Sequence, residues 1–137
     1  MMNIARERIG NVKNGDVILD PGIVPIGSDL EGNFKRLVNA IKLIHQDADL
    51  IGVNMSVGLS NFTVMLPSKR ADGSPVKGSL ESAFLTMAMP MGFNTIIGSV
   101  KRNYSLLAED HPAMQCLKEV LQLDGFDVIM RVMSFYS

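Results

Sequence analysis

Asp20 and Asn61 are the side chains of this sequence best set to recognise a polar ring. Asp20 ends the aliphatic run at 17–19 and opens an Asp-Pro-Gly break. A carboxylate leaving a buried strand accepts two hydrogen bonds from a planar amidine or a pyrimidine edge; otherwise it caps its own turn. Asn61 closes the run Gly58-Leu59-Ser60-Asn61 in a segment without formal charge. Its amide either meets a ligand or completes an Asx-type turn. An Asp and an Asn on two strand ends would bind a polar heterocycle with no change of net charge.

Other chemistry is sparse. Lys69, Arg70 and Lys77, and one strand later Lys101 and Arg102, fall in expected loops. They are either solvated charges or partners for a phosphate or acidic tail, with the Gly98-Ser99 turn as the place a phosphate would sit. Ser60 has no evident histidine base, so a Ser-His-Asp mechanism is not expected. His45 lies beside an apolar helical stripe and reads as structural, and His111 precedes a helix-starting proline and reads as a surface turn. Histidines so far apart, with no carboxylate at ligand spacing, do not make a metal site. Cys116 is the single cysteine, which rules out an intrachain disulfide and a zinc cluster. No GxGxxG or P-loop is present, so no glycine cradle for a nucleotide is expected.

The elements that must hold these residues come as three similar units, each a short aliphatic run, a polar turn and an amphipathic segment. The first is "DVILDPG", with a strand at 17–19, then a helix after Ser28 and Glu31, which have capping-box spacing. Phe34, Leu37, Val38, Ile41 and Ile44 form its stripe. The second run, "LIGVNMSVG" (50–58), is apolar on both sides of the pleat and suits a central parallel strand. After the polar loop 67–78 comes a helix with Leu80, Ala83, Phe84, Met87 and Met91 inward, ended or strained by Pro90. The third run is "NTIIGSV" (94–100), and a last helix begins near Pro112 with Met114, Leu117, Val120 and Leu121 inward. The tail from 125 reads equally as helix or strand. Strand-then-helix repetition gives parallel strands and right-handed crossovers, with ligands at the carboxyl ends of the strands.

At 137 residues the chain is expected to be one domain, 1–137. Apolar residues at 47% and charged residues at 20% fit a globular protein. A net charge of −1 gives no reason to expect nucleic acid or an anionic membrane as partner. The N-terminal residues lack the apolar stretch of a secretory signal, and no run is long enough to cross a bilayer, so a cytoplasmic location is expected.

The segments "ILDPGIVPIGSD", "VGLSNFT" and "SLESAFLTMAMPMGFNTIIGS" resemble the pterin-binding methyltransferase family. That family includes corrinoid-linked methyltetrahydrofolate methyltransferases and the folate module of cobalamin-dependent methionine synthase; dihydropteroate synthases are more distant. The motifs occur in the family's order and at similar spacing, from about residue 14 to the end. The resemblance implies a TIM-type (β/α)8 barrel that binds the pterin of a methylated folate in its mouth. The methyl group would pass from methyltetrahydrofolate to the cobalt of a cobalamin-type corrinoid on a separate protein. Asp20 would bond the pterin ring, Gly58 and Ser60 would join it as substrate-binding positions, and Asn61 would serve as the catalytic amide near N5.

The three units resemble the last three of the barrel, so an α/β segment of a barrel, incomplete as a single chain, is expected. The loop 67–78 is longer than the family's usual connection, and Pro90 stands where a helix former is typical. Three parallel strands leave two open edges. A homo-oligomer, or a second chain supplying the N-terminal barrel strands, is therefore expected beside the corrinoid protein. The alternative is a non-catalytic oligomerising or partner-binding remnant of the fold.

Overall fold

Three short strands interleaved with helices form one parallel sheet in the order β1-β2-β3. In this computed structural model, which describes residues 2–137, β1 is Ile18–Leu19, β2 is Asn54–Gly58 and β3 is Thr95–Ile97. β2 is central. Ile18 and Leu19 register with Asn54 and Met55, while Ser56, Val57 and Gly58 register with Thr95, Ile96 and Ile97. Side chains alternate across the pleat, so Met55 and Val57 share the face that enters the core. Ile18, Ser56, Gly58 and Ile97 share the opposite face.

The strands are shorter than the aliphatic runs. Residues Ala48–Leu50 form a 3-10 turn and Gly52 takes a φ of 86°, so the chain only begins to pair at Asn54. Side-chain amides finish this end of the sheet. Asn54 donates to the carbonyls of Gly15 and Val17, and Asn94 donates to Asn54 Oδ1 while its own Oδ1 accepts the Met55 N–H. Each satisfies backbone groups where the strands diverge.

The helices are α1 (Met2–Ile9), α2 (Asn33–Gln46), α3 (Lys77–Ala88), α4 (Pro112–Val120) and α5 (Phe126–Tyr136). In α2, Phe34, Leu37, Val38 and Ile41 are buried as their spacing requires, and Ile44 is partly so. Its cap differs from the expected Ser28–Glu31 box. Gly32 turns the chain with a φ of 74°, and the buried Asp29 accepts the N–H groups of Asn33 and Phe34, both at 2.8 Å. Ser28 and Glu31 are exposed. Pro90 does end α3: the helix stops at Ala88, Met89–Met91 tighten into a 3-10 turn, and Gly92 follows at a φ of 86°.

Phe34, Phe62, Phe84 and Phe93 join α2, α3 and the ends of the strands, with successive ring centroids 5.4, 5.7 and 5.4 Å apart. Such pairs contribute about 0.5–1.5 kcal/mol each beyond area burial. α4 buries Met114, Cys116, Leu117 and Val120 against α3 and α5. The tail is a helix: Gly125 breaks the chain, and Val128, Val132 and Phe135 recur at helical spacing. α5 packs on α4 and on the turn Ile26–Ser28.

Candidate functional site

Asp20 and Asn61 both lie at the carboxyl end of the sheet, on neighbouring strands. Asp20 follows β1 by one residue and is exposed. Its Oδ1 accepts the Gly22 N–H at 2.8 Å, and Gly22 has a φ of 83°. This closes an Asx turn and aims the carboxylate, while Oδ2 takes no hydrogen bond among the described residues.

Asn61 sits in the 3-10 turn Leu59–Thr63 that leaves β2. Leu59, Phe62 and Thr63 are buried and anchor this turn, which turns Ser60 and Asn61 outward. The Asn61 amide makes no hydrogen bond among the described residues, and it folds over Gly58. A Cβ at Gly58 would stand 3.1 Å from Asn61 Nδ2. A side chain at residue 58 would need the exposed Asn61 amide to give by a few tenths of an ångström. Val64 and Met65 extend the same loop as exposed apolar residues, Met65 at a φ of 71°.

Beneath the turn lies a constellation that motif reading passed over. Glu81 of α3 is wholly buried; Thr63 Oγ1 donates to its Oε1 at 2.5 Å, and Arg102 Nε lies 3.4 Å from both carboxylate oxygens. One carboxylate thus ties the Asn61 turn to the loop after β3. An acid at the edge of the apolar stripe of α3, sharing its face with Phe84 and Ala88, was the available signal. Ser82 accepts the Ser105 N–H and Thr86 the Leu107 N–H, which fixes that loop along α3.

The basic residues divide. Lys77, Lys101 and Arg102 line one cleft of about 420 Å³, whereas Arg70 stacks on Phe135 at 5.0 Å in another. Lys69 is an exposed residue whose backbone bridges to Pro75. The Gly98-Ser99 turn does not offer a phosphate cradle: the Ser99 N–H is taken by Tyr104 Oη at 3.1 Å, and that hydroxyl fills the space beside Gly98. Burial, then the nearby Glu81 carboxylate, raises the Tyr104 pKa above its ordinary value, so the hydroxyl is neutral. His111 is half-buried in the turn that its N–H closes on the Ala108 carbonyl, and it also caps α4, its Nδ1 accepting the Ala113 N–H. His45 is exposed beside Gly92.

None of the clefts described is lined by Asp20, Gly58, Ser60 or Asn61, and Asp20, Ser60 and Asn61 are exposed at the strand ends. Among the described residues no group of three His, Cys, Asp or Glu is placed to hold a metal ion. No described helix is long and apolar enough to cross a membrane. No protein-family model matches this chain, and no curated protein matches it.

Proposed function

We propose that this chain supplies the pterin-binding end of a methyltransferase, which moves a methyl group from methyltetrahydrofolate or a similar donor to a corrinoid protein. The observation that carries this reading is the uncommitted amide of Asn61, set over Gly58 at the same sheet end as Asp20. A pterin edge presents ring N–H and amino donors, which suit the remaining oxygen of Asp20. A methyl group leaving a tertiary amine places electron density on N5, and an amide N–H from Asn61 would stabilise it there. The Ser60 hydroxyl is exposed in the same turn. The corrinoid on its partner protein would supply the nucleophilic metal that accepts the methyl group.

The open surface calls for a cover. Ile18 and Ile97, at 59% and 68% exposure, present apolar side chains on the face that also carries Ser56 and Gly58. Ser56 is buried on this face with no partner for its hydroxyl among the described residues. A second copy, or a chain bringing further barrel strands, would cover this face and exclude water from the pterin. A cytoplasmic location belongs to the same proposal.

Calorimetric titration with 5-methyltetrahydrofolate tests it. Saturable binding that Asp20→Ala weakens is expected. Asn61→Ala should keep binding yet slow methyl transfer to free cob(I)alamin by about 10²-fold. Binding indifferent to Asp20→Ala, or methyl transfer indifferent to Asn61→Ala, would refute the assignment. A second reading, a non-catalytic partner-binding domain, is favoured by the exposed Ile18 and Ile97 on one sheet face; it predicts self-association without folate binding.

A further inference from the structure

The cleft between the start of α3 and the loop after β3 has a charge balance unlike the rest of the chain. Three cations line it, Lys77, Lys101 and Arg102, and no acidic residue does, in a molecule of net charge −1. Arg102 is held by the buried Glu81. Lys77 and Lys101 form no ion pair among the described residues, so two positive charges remain unbalanced. Hydrogen-bond donors surround them: Ser79, Asn103 and His111 also line the cleft. Because His111 Nδ1 accepts a backbone N–H, its neutral ring carries the proton on Nε2 and is a donor there.

The walls are fixed in place. The bonds from Ser105 and Leu107 to α3, the Tyr104 bond to Ser99, and the Arg102–Glu81 pair hold the loop without a ligand. Lys77 itself is costly where it stands. It occupies the first position of α3, where a cation opposes the helix dipole, and no side chain caps that helix. An anion in the cleft would turn this local conflict into an attraction.

We infer that this cleft binds an oxyanion, the phosphate or clustered carboxylates of a small molecule, through Lys77, Lys101 and the donors around them. The inference goes beyond methyl transfer and does not depend on it, because the cleft includes neither Asp20 nor Asn61.

Titration of the full chain with inorganic phosphate and, separately, with citrate, followed by amide NMR at fixed ionic strength, tests it. Saturable shifts at Gly78, Ser79 and Asn103 are expected with at least one probe. Phosphate alone assigns a phosphoryl ligand, and citrate alone a polycarboxylate. Lys77→Ala/Lys101→Ala should weaken binding by about tenfold or more. The exposed Lys42→Ala should leave it unchanged. Since Lys101 lies on an exposed loop, Lys101→Ala alone keeps the fold and repeats the test. Absence of shifts with both probes, or equal affinity in the lysine variants and the Lys42 control, would overturn the assignment.

Discussion

The amide at 61 lies over residue 58, where there is no side chain to meet it. Gly58 has φ −74° and ψ 79°, which alanine adopts, so Gly58→Ala acts through the 3.1 Å approach to Asn61 rather than through the backbone. Stability should change by less than about 1 kcal/mol, while the proposed methyl transfer, if it runs through Asn61, should fall by about tenfold or more as the amide is displaced. Thermal unfolding and single-turnover assays read the two effects separately. Cys116 gives a pH-dependent check on the core. Burial raises its thiol from 9.0 to about 11, so its contribution to stability is complete below 9.0 and is lost as pH rises towards 11. Wild type should lose about 2–3 kcal/mol more than Cys116→Ala across that window in denaturant titrations. At this scale the sequence showed which residues leave strand ends, because an Asp-Pro-Gly break and a Gly-Leu-Ser-Asn run follow aliphatic stretches. It did not show that one oxygen of Asp20 closes a turn while the other remains available.

Helix stripes were the most legible elements, since Phe34, Leu37, Val38 and Ile41 could be buried together only on a helix. Helix starts were less so. The capping pattern at Ser28 and Glu31 lost to Asp29 because Gly32 restarts the chain in a left-handed turn and brings a buried carboxylate under two amides. Asp29→Ala should therefore cost about 1–2 kcal/mol in chemical unfolding, whereas Ser28→Ala should cost about 0.5 kcal/mol or less. A reversed order would return the cap to Ser28. Glu81 was hidden for a related reason. Sequence spacing marks the face of α3, but only the folded loop at 99–107 brings Arg102 to it, and that pairing depends on contacts distant in the chain.

For the whole molecule, α/β class and parallel order were readable from strand–helix alternation, because parallel strands require helical crossovers. The extent of pairing was not. Asn54 and Asn94 use their side chains to end the sheet early, and aliphatic character alone carries no trace of that. The resulting sheet has two open edges and one face with exposed isoleucines, which makes an enclosing partner part of the proposed chemistry. The most direct measurement is a titration of the 15N-labelled chain with 5-methyltetrahydrofolate, read at the backbone amides. Concerted, saturable shifts at Asp20, Gly22, Gly58, Ser60 and Asn61 are expected. Silence at those five amides under saturating ligand, or shifts confined to other surfaces, would contradict pterin recognition at the carboxyl end of this sheet.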